Sequence, residues 1–223
     1  MSFFGYIVIA LFGYLLGSIP TGYLVARTRG IDIRTVGSKN MGATNVFRTL
    51  GKGPGIFVLL VDALKGFGAV ALVTNFIPSV SNSFPSLFPA DAATNPQLRE
   101  TFALIAGIGA VLGHNYTCWL NFKGGKGIAT TGGVFLALAP AAVGIAAALW
   151  LIAFIATRYV SIASIVAAVA LPTAVCFTQP NLTLRIIAII LGVLAIYKHR
   201  TNIQRLRNGT ENRISFKKTE VTR

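Results

Sequence analysis

Three polar segments interrupt an otherwise apolar sequence, and the first carries residue types that bind phosphate esters. It runs from Val36 to Arg48 and reads VGSKNMGATNVFR. Its glycines permit tight turns, its short polar side chains offer hydrogen bonds, and its arginine offers the planar cationic fork that phosphate favours. A solvated turn with a helix cap has the same composition, so the residues alone leave both interpretations open. The candidate ligands are Ser38, Asn40, Thr44, Asn45 and Arg48.

The second segment is glycine-rich and lies directly before an apolar helix. It runs from Phe122 to Gly133 and reads FKGGKGIATTGG. Glycines that let the backbone approach an anion, beside a lysine and a helix N-terminus, predict a phosphate cradle, formed here by Gly124, Gly125, Lys126 and Gly127. A Walker A loop is excluded because Gly127, not Ser or Thr, follows Lys126. The alternative is a flexible glycine hinge whose lysine lies at the lipid headgroups.

The third segment is basic and runs from Tyr197 to Glu211. On a helix, His199, Asn202 and Arg205 follow one another at intervals of three and share much of one face. Histidine carries protons near neutral pH, so His199 is a candidate general base. A basic stretch that enforces membrane topology accounts for the lysines and arginines, but it does not account for His199, Asn202 or Glu211.

Searches for other chemistry are negative. The two histidines, His114 and His199, lack clustered carboxylate or thiol partners, so no zinc site is expected. No cofactor is predicted. Cys118 and Cys176 are too few for a disulfide framework. Asp62 and Lys65 lie three residues apart within an apolar run, and ionisable residues inside a membrane usually point inward and pair. We favour a structural or pocket-lining pair over a proton relay.

Long apolar runs must position these segments. Of the 223 residues 54% are apolar and 12% charged, whereas a soluble domain carries roughly 25% charged residues. A single soluble globule is therefore excluded, and an all-α polytopic membrane protein is predicted. The net charge of +14 would indicate nucleic acid in a soluble protein, but here the basic residues lie between apolar runs, so no nucleic-acid partner is expected. The predicted spans are 3–25, 53–77, 99–118, two crossings within 128–157, 160–178 and 182–197.

The distribution of basic residues fixes the predicted orientation. If 128–157 crosses twice, turning near Pro140, then 17 of the 20 Lys and Arg residues lie on one face, which the positive-inside rule makes cytoplasmic. The prediction is seven transmembrane helices with the N-terminus outside and the C-terminus in the cytoplasm. The cytoplasmic motif segments are 26–52, 119–127 and 198–211, the external loop is 78–97, and the tail 212–223 is disordered or lies on anionic lipid. Cys118 and Cys176 then lie near opposite faces and cannot pair.

Together these motifs resemble those of the bacterial membrane glycerol-3-phosphate acyltransferases that use acyl phosphate, the PlsY family. The resemblance covers nearly the whole chain: GSIPTG at 17–22, the three polar segments, and DALKG at 62–66. It implies acyl transfer from acyl phosphate to the 1-hydroxyl of glycerol 3-phosphate, giving lysophosphatidate and inorganic phosphate, the entry step of bacterial phospholipid synthesis.

The resemblance also implies roles for individual residues. Ser38 and Arg48 match residues needed for activity, and Gly124, Gly125 and Gly127 match glycines that serve glycerol 3-phosphate binding. His199 and Asn202 match the third family motif, and Glu211 matches a residue that maintains structural integrity. One departure is Thr117, where family members often carry Pro. The His-x4-Asp spacing of the soluble acyltransferases is absent at both histidines.

The implied setting is one integral-membrane domain, 1–223, in the bacterial inner membrane with its active site facing the cytoplasm. Its partners are the two substrates, membrane lipid and, by functional coupling, the enzyme that makes acyl phosphate. Two other classes stay open from the residues alone: an organophosphate transporter with a basic cytoplasmic gate, and an assembly subunit that binds anionic lipid. The proton acceptor is also open between His199 and a phosphate oxygen of the donor.

Overall fold

The computed structural model describes residues 4–214, and regular structure within this range is entirely helical, which confirms the all-α class. The predicted tail 212–223 lies outside the described residues from position 215 onward. The α-helices are α1 (Phe4–Ser18), α2 (Thr21–Arg27), α3 (Ala43–Leu50), α4 (Lys52–Ser83), α5 (Pro96–Asn115), α6 (Ile128–Leu138), α7 (Pro140–Thr157), α8 (Val160–Thr178), α9 (Leu182–Lys198) and α10 (Arg200–Arg207). A 3-10 turn, Cys118–Leu120, follows α5.

Five segments within residues 4–214 are long and apolar enough to cross a membrane: Phe4–Arg27, Lys52–Ser83, Pro96–Leu120, Pro140–Thr157 and Val160–Thr178. A sixth is obtained if α9 and α10, which meet at a 50° bend, count as one span. The break at Pro140 is confirmed, but the 11 residues of α6 rise only about 16 Å against a hydrocarbon core of about 30 Å. The count of seven and the orientation therefore remain predictions.

The first predicted span, 3–25, is broken at Ile19 and Pro20, which separate α1 from α2. Proline lacks a backbone N–H and disfavours helical geometry in the preceding residue. Side chains from later in the chain donate hydrogen bonds to the carbonyls at the break. Thr117 Oγ1, just after α5, donates to the Ser18 carbonyl at 2.6 Å, and Lys65 Nζ, on α4, donates to the Ile19 carbonyl at 3.1 Å. The break is thus hydrogen-bonded although it lies within a membrane span.

Helix α4 continues through Pro78 to Ser83, and α5 begins at Pro96. The predicted loop 78–97 is therefore wrong over its first six residues and its last two. Ile77 and Ser81, on either side of the proline, are both buried. Their packing holds the helical turn although the proline removes one backbone hydrogen bond.

Within residues 4–214 the chain forms two compact units that divide after Pro140, here called the N-terminal and C-terminal units. In the N-terminal unit, α1 lies so close to α5 that a Cβ atom on Gly13 or Gly17 would overlap the backbone of Ala106 or Ala110. Helices α4 and α6 approach in the same way through Gly66 and Gly133. Small residues at such crossings let membrane helices pack backbone to backbone.

In the C-terminal unit, α8 packs on α9, where Gly192 meets the carbonyl of Ala168. Helix α7 is apolar on nearly all sides, and Ile152 and Ile155 on it are 63% and 65% exposed. Exposed isoleucines of this kind suit contact with lipid. Cys118 and Cys176 are both free thiols, as predicted.

Candidate active site

Asn45 organises the first polar segment. It is buried, and its side-chain Nδ2 lies within hydrogen-bond distance of the carbonyls of Ile33, Val36 and Asn40, at 3.1, 3.0 and 2.9 Å. Its Oδ1 accepts from the backbone N–H of Ser38 at 2.9 Å. The sequence predicted Asn45 as a phosphate ligand, but both ends of its amide contact the loop backbone. We therefore assign it to holding the loop.

The loop around Ser38 is tightly turned. Gly37 has a φ of +57°, and a Cβ atom there would overlap Oδ1 of Asn45, so glycine is required on two counts. Lys39 has a φ of +58°, which is uncommon for a residue with a side chain. Asn40 Oδ1 accepts from the N–H of Gly42 at 2.8 Å and closes the turn that precedes α3. Ser38 and Lys39 therefore lie on a backbone of defined shape.

Helix α3 positions the other two candidates of the first segment. Thr44 lies in its first turn and Arg48 in its last turn, and both are half-buried. Between them Val46 is fully buried and packs with Ile33, Met41 and Leu120 in one hydrophobic cluster. Because Leu120 lies just before the second polar segment, this cluster holds the first two segments against each other.

The second segment folds back on the end of α5. The N–H groups of Gly124 and Gly125 donate to the carbonyls of Asn115 and His114, at 3.2 and 2.9 Å. These two N–H groups were predicted to face a phosphate, but the structure engages them within the protein. Gly127, with a φ of +81°, is the N-cap of α6, which has neither a side-chain cap nor an acidic residue in its first turn. The first N–H groups of α6, beside Lys126, are therefore the donors suited to an anion.

A cleft of about 380 Å³ lies between the first and second segments. Arg34 on its wall is held by a bidentate ion pair with Asp32, the shortest contact being 2.7 Å, and its guanidinium lies 4.8 Å from the centre of the Tyr23 ring. Hydrogen bonds from Arg34 lower the pKa of Asp32 to about 2, so Asp32 is ionised at neutral pH. The lining residues are Asp32, Arg34, Thr35, Lys39, Met41, Lys123 and Gly124.

The third segment forms a polar cluster within the C-terminal unit. Asn202 Nδ2 donates to Glu211 Oε1 at 2.9 Å, and Arg205 Nε donates to Glu211 Oε2 at 2.7 Å. Burial alone would raise the pKa of Glu211, but these hydrogen bonds outweigh it and hold the pKa below the ordinary 4.5. The shared face predicted for Asn202 and Arg205 is thus occupied by Glu211, in keeping with a structural role for this carboxylate.

His199 lies at the bend between α9 and α10 and is buried. Its Nδ1 is 2.8 Å from the carbonyl oxygen of Ala195. A carbonyl oxygen only accepts hydrogen bonds, so Nδ1 carries the hydrogen and, in the neutral ring, the basic lone pair lies on Nε2. The contact therefore places the basic nitrogen of the neutral ring at Nε2.

Asp62 and Lys65 pair as predicted, with Nζ and Oδ1 2.8 Å apart. Nδ1 of His114 lies 3.6 Å from the same carboxylate oxygen, a third member that the sequence did not indicate. The described residues hold no group of three or more His, Cys, Asp or Glu side chains with the geometry of a metal site.

Comparison with known proteins gives a consistent result. Residues 7–209 match the family model described as glycerol-3-phosphate acyltransferase. The chain belongs to the glycerol-3-phosphate acyltransferase family. Over 206 residues this acyltransferase is 46% identical to the glycerol-3-phosphate acyltransferase of Geotalea daltonii, covering 92% of this chain and 96% of that protein. It is also 45% identical to the enzyme of Synechococcus sp. strain JA-3-3Ab over 93% of each chain.

Two crystal structures of PlsY, an integral membrane glycerol 3-phosphate acyltransferase, are similar to the acyltransferase described here. The glycerol 3-phosphate form has a TM-score of 0.79 and 37% identity, covering 94% of this chain and 96% of its own. The lysophosphatidic acid form has a TM-score of 0.76 and 36% identity, covering 94% and 95%. These likenesses confirm the predicted family and leave no support for the transporter or assembly-subunit alternatives.

The structure adds residues that sequence reasoning did not select for this acyltransferase. Lys39 and Lys123 line the cleft although each was quoted only as a neighbour of a candidate ligand. The feature that could have indicated Lys39 and Lys123 in the sequence is that each lies among glycines and turn residues. The Asp32–Arg34 pair carried no comparable signal, because two charges two residues apart are common in exposed turns.

Proposed function

We propose that this acyltransferase takes its acyl group from acyl phosphate and transfers it to the 1-hydroxyl of glycerol 3-phosphate. Acylation of glycerol 3-phosphate is the activity of the family to which the chain belongs. The solved PlsY structures, one in a glycerol 3-phosphate form and one in a lysophosphatidic acid form, correspond to the acceptor and the product. The donor and the residue roles below are our assignments.

One observation carries the proposal: the first two polar segments line a common cationic cleft in the N-terminal unit. Both proposed substrates are phosphate esters or anhydrides with negative charge. Lysines 39 and 123 raise the local concentration of such anions. Ser38, on the loop that Asn45 holds, and Arg48, in the last turn of α3, are assigned to the reacting phosphate and carbonyl oxygens, with Asn40 and Thr44 as further ligands.

The second segment is assigned to the phosphate of glycerol 3-phosphate. Lys126 and the first N–H groups of α6 provide charge and donors in one place. The side-chain amide of Asn115 lies beside Gly127, where a Cβ atom would be 2.8 Å from its Oδ1. Gly124 and Gly125 contribute by shaping the loop, since their own N–H groups bond to Asn115 and His114.

The reaction proposed is a direct acyl transfer. The 1-hydroxyl oxygen forms a bond to the acyl carbon, and the bond from that carbon to the phosphate oxygen breaks, its electron pair leaving with inorganic phosphate. The hydroxyl proton passes to Nε2 of His199 or to an oxygen of the donor phosphate. Because acyl phosphate is already activated, the protein's tasks are alignment and charge stabilisation, and no covalent enzyme intermediate or cofactor is invoked. Asn202 is proposed to act beside His199, and Glu211 to hold the segment.

We also propose the seven-span topology, the single catalytic domain over 1–223 and location in the bacterial inner membrane with the motif segments in the cytoplasm. The support is the placement of 17 of the 20 basic residues on one predicted face. Labelling of single cysteines from outside intact cells, in a background lacking Cys118 and Cys176, tests it. Position 86 should react and positions 40 and 208 should not; strong labelling at 40 or 208 contradicts this topology.

The donor assignment is tested by supplying purified protein with acyl phosphate or acyl-CoA of equal chain length. We expect turnover with acyl phosphate, undiminished by a metal chelator. Equal or faster turnover with acyl-CoA would contradict the assignment. An enzyme that generates acyl phosphate must supply the donor, and we propose that the two enzymes are functionally coupled.

A further inference from the structure

A buried charged cluster in the N-terminal unit lies directly beneath the glycine-rich loop. It consists of Asp62 and Lys65 on α4 and His114 at the end of α5, and their side chains are 3–5% exposed. Burying three ionisable groups in a membrane protein is costly, so such groups usually serve a purpose beyond packing. None of them takes part in the acyl transfer described above.

Two members of the cluster are tied to the surrounding helices. Lys65 Nζ bridges Asp62 Oδ1, at 2.8 Å, and the carbonyl of Ile19 at the break in the first span, at 3.1 Å. Asp62 Oδ1 also faces Nδ1 of His114 at 3.6 Å. The carboxylate therefore has a cation on one side and one edge of the imidazole on the other.

The opposite edge of the ring faces Gly125. A Cβ atom on Gly125 would overlap Nε2 of His114 and lie 2.8 and 3.0 Å from Cε1 and Cδ2. The backbone makes the same connection, because the N–H of Gly125 donates to the His114 carbonyl at 2.9 Å. Gly125 thus packs against the imidazole, and the ring occupies the space that a side chain at position 125 would need.

We propose that His114 is a positioning residue for the glycine-rich loop, with Asp62 and Lys65 holding its ring in place. The imidazole sets the position and direction of the backbone at Gly125, three residues before α6 begins. Those residues place Lys126 and the first N–H groups of α6, so the cluster acts on substrate binding through the loop. This inference rests on the proposed function in assigning that loop to the phosphate of glycerol 3-phosphate.

The side-chain chemistry of His114 provides a matched pair of variants. His114→Asn keeps a δ-nitrogen toward Asp62 and removes the ring edge beneath Gly125. His114→Gln retains an amide at the ε position, where Nε2 now lies. If the ring edge excludes a side chain at position 125, Asn in place of His should make room for Gly125→Ala, and Gln should not.

The test measures kcat, KM for glycerol 3-phosphate and thermal unfolding in detergent for Gly125→Ala in three backgrounds. With His114 present, we expect KM to rise about tenfold or more and kcat to fall less than about threefold, since displaced binding groups weaken binding. In the His114→Asn background, Gly125→Ala should raise KM by less than about threefold. In the His114→Gln background, it should again raise KM by about tenfold. If Gly125→Ala alone unfolds, recovery of the melting temperature by His114→Asn is the equivalent result.

If Gly125→Ala raises KM by the same factor in all three backgrounds, the proposal is overturned, because additive effects mean that the ring and the loop are independent. Gly68→Ala is the control, since a Cβ atom there meets nothing within 4 Å and it lies on the helix that carries Asp62 and Lys65. Failure of the wild-type protein to acylate glycerol 3-phosphate would contradict the proposed function instead, and the melting temperatures would still report the coupling.

The contribution of Asp62 and Lys65 is tested by replacing them together with Asn and Met, which removes the buried pair without leaving one charge alone. We expect a folded protein with a raised KM for glycerol 3-phosphate and a kcat changed by a smaller factor. An unchanged KM would show that the pair does not hold the ring.

Discussion

The side-chain oxygen of Asn45 accepts a hydrogen bond from the backbone N–H of Ser38 at 2.9 Å. Seven residues separate the two along the chain, and the bond ties the proposed catalytic loop to the first turn of α3. A serine so close to glycine would otherwise have a mobile backbone. The relationship makes Asn45 the residue on which the shape of the loop depends.

Asn45→Asp should therefore damage the loop. The substitution replaces the Nδ2 donor by an oxygen that faces the carbonyls of Ile33, Val36 and Asn40. We expect the free energy of unfolding to fall by about 2 kcal/mol or more, since buried acceptors lose their donor, and acyl transfer to fall with it. Thermal unfolding and activity should both be unaffected by the control Asn82→Asp, at an exposed position. Normal activity in Asn45→Asp would refute the organising role.

Arg48 is expected to act on the transition state. If its guanidinium stabilises charge that develops on the carbonyl oxygen or the departing phosphate, Arg48→Ala should lower kcat by about 100-fold or more. Arg48→Lys should recover little of the lost kcat, because an ammonium group lacks the planar, two-pronged hydrogen-bonding geometry of a guanidinium. Steady-state kinetics with Arg29→Ala as the exposed control checks this. A near-normal kcat for Arg48→Ala at saturating substrate is incompatible with the assigned role.

The two lysines of the cleft should affect binding rather than the chemical step. Replacing Lys39 and Lys123 by Gln removes two positive charges from its lining. We expect kcat/KM to fall at low salt and its dependence on ionic strength to weaken, because screened attraction is what the lysines supply. Lys52→Gln, also exposed, is the matched control. Identical salt dependence in wild type and double variant would argue that substrates do not enter this cleft.

Glu211 should make stability depend on pH in the acid range. Its pKa is lowered in the folded protein by hydrogen bonds from Asn202 and Arg205 that outweigh burial. A lowered pKa means that the stabilisation is present above the ordinary value of 4.5 and is lost as pH falls through the lower folded value. Glu211→Gln should lower the free energy of unfolding by about 1 kcal/mol at pH 7. The expected loss is this small because Arg205 is partly exposed and solvent screens its attraction to Glu211. Melting temperatures of the two proteins should converge below pH 4.5; a constant difference would rule out this carboxylate as the source.

Much of the fold was predictable because membrane insertion imposes simple patterns. The apolar runs gave the helices, and Pro140 gave the break between α6 and α7, since proline cannot donate within a helix. The loop predicted to begin at Pro78 was wrong, and the helix break at Pro20 within the first span was not predicted. Pro20 ends a helix where two side chains distant in sequence donate hydrogen bonds to the carbonyls left open, whereas Pro78 is tolerated within a helix where its neighbours Ile77 and Ser81 are buried.

The residue types of the candidate site could be predicted from the sequence, but the contacts that those residues make could not. Phosphate-binding composition drew attention to Asn45 and Gly125 alike, yet the polar groups of both engage the protein itself. Whether an amide faces a ligand or its own loop depends on backbone turns that composition does not encode. The contact of Gly125 with His114 depends on the reversal of the chain after α5, which spacing alone does not specify.

The central claim, direct acyl transfer from acyl phosphate, is tested most directly by measuring inorganic phosphate and lysophosphatidate together, with and without glycerol 3-phosphate. With both substrates present, we predict one phosphate released per lysophosphatidate formed. Without the acceptor, we predict no phosphate burst, because the acyl group has no covalent site on the protein. Stoichiometric phosphate release in the absence of glycerol 3-phosphate, or phosphate release without lysophosphatidate in its presence, would contradict the claim.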